Sequence, residues 1–133
     1  MNGKECLTIK GFVSSGMGEG KLFSSLPWFR EYVKRTLNFD PFPGTLNIIV
    51  SNGDSRVLKE IFRCGGFMVL SRENYFPGRL YKALIAYKVE GAVVRPETPR
   101  YPENLVEIIA PVCLRRVLSI RDGDEIEVKI FLR

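Results

Sequence analysis

The chain has 133 residues, the size of one domain, and 45% of them are hydrophobic, which is enough for a buried core. Its formal net charge of +5 suits an anionic partner such as a nucleotide, a nucleic acid or a phosphorylated metabolite. Histidine is absent, which excludes serine–histidine triads, cysteine–histidine pairs and histidine metal sites. Any catalysis must therefore use carboxylates, lysine, arginine, backbone amides or a metal bound by oxygen atoms.

The cysteines and the apolar residues indicate the compartment. Cys6, Cys64 and Cys113 are scattered and form no C-x-x-C pair, so the sequence predicts neither a disulfide framework nor a zinc site. No apolar run reaches the roughly 18 residues of a membrane span, and the first residues lack an apolar signal core. We expect a cytoplasmic protein. The absence of glutamine, together with abundant charge, hints at a thermophilic source.

The first half of the chain mixes strand and helix patterns. Residues 6–14 alternate and predict a strand that ends at a glycine-rich stretch. Apolar side chains recur at helical spacing over residues 27–37, and Pro27 suits the first turn, so this segment predicts an amphipathic helix. Residues 45–50 predict a second strand, residues 51–54 a break, and residues 57–62 a short helix.

The second half is richer in strands. Strand patterns occupy residues 67–71, 80–88 and 91–94, with the last two as a hairpin, and a proline-rich loop follows. An apolar strand, a short helix, a turn at Asp122 and Gly123, and a cleanly alternating last strand complete the chain. About six or seven strands and two or three helices predict a single, mainly β domain over residues 1–133: a barrel with a few inserted helices.

A glycine-rich stretch links the first predicted strand to the first predicted helix. It consists of Gly16, Met17, Gly18, Glu19, Gly20 and Lys21. Alternate glycines allow consecutive backbone amides to converge on an anion, and the lysine adds positive charge. The spacing fits neither the Walker A pattern nor the dinucleotide-binding pattern. Both a phosphate site and a flexible turn are compatible with it.

Two further positions carry oxygen atoms that suit ligand binding. Thr45 and Asn47 project from one face of a strand start, where their side-chain oxygens could hold Mg²⁺ that arrives with nucleotide phosphates; an exposed pair without a ligand is the alternative. Glu107 is a lone carboxylate in an apolar strand and shares a face with Leu105 and Ile109. Its burial requires a partner, either a ligand hydroxyl or a structural arginine.

The arginines after the apolar strand have two possible roles. Arg115 and Arg116 could bind phosphate or pair with Asp122 and Asp124. Aromatic residues also alternate with basic ones, as at Tyr101, where a ring could stack on a flat ligand or form part of the core.

Four motifs occur together in one order: SGMGEG at residues 15–20, FDPFPGTLN at 39–47, EIIAP at 107–111 with LR at 114–115, and DGD at 122–124. In this combination the sequence closely resembles the archaeal CTP-dependent riboflavin kinases over nearly the whole chain. The resemblance implies a six-stranded cradle-loop (RIFT-type) β-barrel that converts riboflavin and CTP to FMN and CDP. It also implies a monomer without nucleic-acid or membrane partners.

The resemblance further implies roles for particular residues. It makes Thr45 and Asn47 the Mg²⁺ ligands, and it places Glu107 at the ribityl chain of the flavin as a base or an orienting group. Thr98, in the proline-rich loop, is the nearest threonine for the flavin phosphate. The residues implied to bind the nucleotide are Gly16, Met17, Gly18, Glu19, Gly20, Lys21, Val112, Cys113, Leu114 and Arg115.

A non-enzymatic DNA-binding barrel is the alternative function. Residues 118–128 resemble the strand-turn pieces of small transcription-factor barrels, and the basic charge suits DNA. The glycine-rich stretch and the Thr45–Asn47 pair favour the kinase, because a DNA-binding barrel has no need of them.

Overall fold

The computed structural model describes residues 6–15, 26–62, 65–70 and 77–132. The strands are β1 (Cys6–Ser14), β2 (Leu46–Val50), β3 (Phe67–Val69), β4 (Gly78–Ile85), β5 (Val89–Pro96), β6 (Leu105–Ile109) and β7 (Glu125–Phe131). The helices are α1 (Pro27–Leu37), α2 (Asn52–Ile61) and α3 (Leu114–Val117).

The strands form one antiparallel sheet that closes into a barrel. Their order is β3-β4-β5-β6-β2-β1-β7, and an additional pairing of β4 with β7 joins the two ends. Six strands therefore make the closed wall, and β3 lies outside it against β4. The predicted mainly β, six-stranded barrel with inserted helices is confirmed.

The barrel wall has two apolar faces. Its interior is filled by side chains such as Ile48, Val106 and Ile108, which belong to one large buried cluster. A second cluster covers the outer face, where Phe29 of α1 packs with residues of β4, β5 and β6 that include Ile109. Side chains alternate between the faces of a strand, so Glu107 lies on the same outer face as Ile109, as the sequence predicts.

Several predicted elements have different bounds in the structure. β2 ends at Val50, so the strand break predicted at residues 51–54 is confirmed, but the helix predicted over 57–62 begins earlier. The Ser51 hydroxyl accepts a hydrogen bond from the Asp54 backbone N–H at 3.2 Å and caps α2, which therefore begins at Asn52. The predicted strand over 80–88 ends at Ile85, because Ala86 and Tyr87 adopt positive φ in the hairpin turn.

The short helix after β6, which the sequence predicts over residues 114–120, is also shorter in the structure. It ends at Val117, and Ser119 adopts a φ of 54° two residues later. Gly123 has a φ of 94°, in agreement with the predicted turn before β7. Within the described ranges, no helix has the length and apolar character needed to cross a membrane.

Candidate active site

The pairing of β2 with β6 sets Asn47 directly opposite Glu107. Residues opposite each other in an antiparallel pair project from the same face, so their side chains are neighbours on the outer face of the barrel. Asn47 is 7% exposed and Glu107 is 0% exposed. A carboxylate buried to this degree must be hydrogen-bonded or paired, and the next residues supply those bonds.

Thr45 adds a third oxygen-bearing side chain to this pair. It follows Gly44, whose φ of 98° turns the chain into β2. The Thr45 Oγ1 atom lies 3.0 Å from Asn47 Oδ1 and 3.2 Å from Glu107 Oε1. The hydroxyl has one proton and so donates to one of these oxygens at a time. Hard cations such as Mg²⁺ prefer oxygen ligands, so the oxygen atoms of these three side chains suit the predicted metal.

Tyr101 engages the other oxygen of the carboxylate. Its hydroxyl donates to Glu107 Oε2 at 2.5 Å, from the loop between β5 and β6. The guanidinium carbon of Arg95 lies over the Tyr101 ring, 4.5 Å from its centroid. Burial lowers the pKa of Arg95, and the neighbouring Tyr101, Glu103, Tyr81 and Glu107 oppose that shift. The sequence indicated Tyr101 only as a ring that stacks on a ligand or belongs to the core, and it gave no signal for Arg95.

A cavity of about 190 Å³ adjoins the oxygen cluster. It lies between the chain that enters β2 and the segment that follows β6, with Thr45 in its wall. The residues that line it are Phe42, Pro43, Gly44, Thr45, Leu46, Ile108, Ala110, Val112, Cys113, Leu114 and Arg115. A predicted Mg²⁺ ligand and the four predicted nucleotide contacts after β6 therefore face one space, a grouping that sequence spacing alone does not show.

Arg115 anchors one side of this cavity to the end of β1. Its Nη2 atom donates to Asp122 Oδ1 at 2.7 Å, to Ser15 Oγ at 3.1 Å and to the Ser14 carbonyl oxygen at 3.3 Å. The Ser15 hydroxyl in turn donates to the Asp122 carboxylate at 2.8 Å. The hydrogen bonds from Arg115 and Ser15 lower the pKa of Asp122. Arg115 therefore pairs with Asp122, one of the two partners predicted for it, and its contact with the nucleotide stays a prediction.

The comparisons with known proteins show the family of the chain. The family model that matches residues 13–130 is that of the CTP-dependent riboflavin kinase domain (CTP-dep_RFKase), with the description "Domain of unknown function DUF120". The chain belongs to the CTP-dependent riboflavin kinase family. It is 35% identical over 132 residues to a riboflavin kinase of Sulfurisphaera tokodaii, an alignment that covers 95% of this chain and 96% of that protein.

Other relatives of this family are longer than the chain. A riboflavin kinase of Pyrobaculum islandicum is 35% identical over 131 residues, and one of Methanosarcina acetivorans is 39% identical over 131 residues. Both alignments cover 95% of this chain, but they span 61% and 54% of those two proteins.

Two sets of predicted site residues remain predictions. The glycine-rich stretch, Gly16 to Gly20 with Lys21, lies outside the described residues. Thr98 is half-buried in the loop after β5, where its carbonyl oxygen accepts a hydrogen bond from the Tyr101 backbone N–H at 3.3 Å. In the described part of the chain, no hydrogen bond joins the Thr98 side chain to Glu107, so its role at the flavin phosphate stays a prediction.

Proposed function

We propose that the chain phosphorylates riboflavin to FMN, with CTP as the phosphoryl donor and CDP as the other product. One observation carries this proposal: in a member of this family, Thr45 lies in the wall of a cavity and within hydrogen-bonding distance of both Asn47 and Glu107. The cluster supplies oxygen ligands and a buried carboxylate, which are the groups that phosphoryl transfer to an alcohol requires.

The cavity is the proposed site of the CTP base. Its wall combines the exposed ring of Phe42 with residues 112–115, so it offers apolar surface beside polar backbone. The stretch from Gly16 to Lys21 is proposed to bind the phosphates through its amides and its lysine, because it follows directly after Ser15. Ser15, the residue before this stretch, accepts a hydrogen bond from Arg115 of the cavity wall.

Thr45 and Asn47 are the residues that would hold Mg²⁺. Both side chains are uncharged, so tight binding needs the negative charge of the nucleotide phosphates as well. Thr45 and Asn47 would hold the ion beside the CTP phosphates, where it would supply positive charge to offset that of the transferred phosphoryl group.

Glu107 is proposed to orient the terminal ribityl hydroxyl of riboflavin. The hydroxyl oxygen forms a bond to the γ-phosphorus, the bond between that phosphorus and the β–γ bridging oxygen breaks, and CDP leaves with the electron pair. The hydroxyl proton must depart in the same process. Glu107 is the buried carboxylate of the cluster, and it can accept this proton after it has oriented the hydroxyl.

The test is a flavin assay with each of the four nucleoside triphosphates. The protein is incubated with riboflavin and Mg²⁺, and riboflavin is separated from FMN by chromatography. We expect FMN with CTP, much less with the other nucleotides, and none after chelation of the metal. FMN formed equally well with ATP would contradict the choice of CTP. If no nucleotide gave FMN and the protein bound DNA in a salt-dependent manner, the DNA-binding alternative would replace the kinase.

A further inference from the structure

The two oxygens of the Glu107 carboxylate have different neighbours. Oε1 faces Thr45 at 3.2 Å, next to Asn47, and Oε2 receives the Tyr101 hydroxyl at 2.5 Å. The side chain is fully buried. A terminal carboxylate torsion has broad minima, so burial alone does not fix the rotation of the carboxylate plane, whereas a short hydrogen bond to one oxygen does.

Tyr101 is itself held in place from two sides. Its ring lies 4.5 Å from the guanidinium carbon of Arg95, which also lies over the Phe62 ring at 5.0 Å. The Arg95 Nη1 atom donates to the Pro102 carbonyl oxygen at 3.4 Å, one residue beyond the tyrosine. Contacts of this kind within about 6 Å are attractive, and they strengthen when the cation is removed from water. These contacts hold the loop between β5 and β6 in place at the point where the Tyr101 hydroxyl contacts Glu107.

We propose that Tyr101 is a positioning residue, which acts through Glu107 by fixing its Oε2 so that its Oε1 faces the substrate hydroxyl. The inference rests on the proposed function, in which Glu107 receives the terminal hydroxyl of riboflavin. Oε2 is occupied by the phenol, and the Thr45 side of the carboxylate therefore accepts the incoming donor. Tyr101 does not contact the reacting atoms in this arrangement.

The first experiment measures the steady-state kinetics of Tyr101→Phe. Phenylalanine keeps the ring that packs on Arg95 and removes only the hydroxyl. A misplacement of about 1 Å can lower a rate about 100-fold, and because the ring packing is retained we expect kcat to fall about tenfold. The KM for riboflavin and for CTP should stay within about twofold, because the lost interaction orients a group in the transition state.

Tyr87→Phe is a matched control. The Tyr87 hydroxyl donates to Glu127 Oε1 at 2.5 Å, so the substitution removes the same type of hydrogen bond, but on a side chain that is 63% exposed in the hairpin turn after β4. This variant should keep the wild-type kcat. Thermal unfolding of both variants separates a loss of folded protein from a loss of turnover.

A double-mutant cycle decides whether Tyr101 acts through Glu107. If it does, adding Tyr101→Phe to Glu107→Gln should change kcat little beyond the effect of Glu107→Gln alone, since coupled residues are not additive. Wild-type kcat in a folded Tyr101→Phe variant, or a full multiplication of the two effects, would overturn the inference while the kinase assignment stood. A wild-type protein that makes no FMN would overturn both.

Discussion

Glu107→Gln tests the residue on which the proposed mechanism depends. Glutamine has nearly the same shape, but it is neutral and presents an NH₂ group in place of one carboxylate oxygen. In the structure, that group would replace either the oxygen that Tyr101 contacts at 2.5 Å or the oxygen that Thr45 contacts at 3.2 Å. Hydroxyl groups accept as well as donate, so both contacts can be kept by rotation of the partner.

The structure sets the expected effects of Glu107→Gln on stability and on turnover. The hydrogen bonds that Glu107 receives as a charged group become bonds to a neutral amide, which lowers the free energy of unfolding by about 1 kcal/mol. The removal of a buried charge offsets part of this loss. The fold should therefore survive. If Glu107 only orients the hydroxyl, turnover should fall at least about tenfold, the factor that corresponds to about 1.4 kcal/mol. If it also accepts the proton, the loss should reach about 10²–10⁴-fold.

The assay is the initial rate of FMN formation with saturating riboflavin, CTP and Mg²⁺, and unfolding is followed by circular dichroism. Glu125→Gln is the control, since Glu125 is a glutamate exposed on β7; it should turn over at the wild-type rate. Near-normal turnover by folded Glu107→Gln would refute the reasoning and remove Glu107 from the mechanism.

Three other substitutions test the fold and the site. A Cβ at Gly91 would lie 2.4 Å from the Ile109 carbonyl oxygen, so Gly91→Ala should destabilise the barrel by about 1–3 kcal/mol in thermal unfolding. Gly53→Ala is the control, because its Cβ would have no atom closer than 4.0 Å, and it should not destabilise the protein. Equal unfolding temperatures for the two variants would contradict the packing argument. The pKa of Asp122 is lowered by its arginine and serine partners, so its contribution to stability is present above about pH 4 and lost as the pH falls through the lowered pKa. Asp122→Asn should therefore unfold at a lower temperature than the wild type near neutral pH, and the difference should vanish in acid; a constant difference would argue against the ion pair as its source. Asn47→Ala should raise the Mg²⁺ concentration needed for half-maximal activity by about tenfold or more, and an unchanged requirement would exclude Asn47 as a ligand.

The elements of the fold were predictable where the sequence pattern is local. Period-two alternation predicted the first and last strands, and helical spacing after Pro27 predicted α1. The start of α2 was not predicted, because Ser51 and the residues after it suit both a turn and a helix cap, and only the bond from Asp54 to the Ser51 hydroxyl distinguishes them.

The site was predictable in part for the same reason. The alternation of a strand puts Thr45 and Asn47 on one face, and it puts Glu107 on the face of Ile109. The bond from Tyr101 to Glu107 was not predictable, because it depends on how the proline-rich loop folds back over β6. The pairing of Arg115 with Asp122 likewise required the structure, since the sequence offered both Asp122 and Asp124 as acidic partners.

The sequence by itself determined the element types, the absence of histidine chemistry and, through four motifs in order, the family. The tertiary structure decided which distant residues meet: β4 pairs with β7 to close the barrel, and β2 pairs with β6 to set Asn47 opposite Glu107. The physical reason is that local pattern depends on the period of one element, whereas the site depends on the pairing of strands far apart in the chain. The register of those pairings is selected by burying whole apolar faces together.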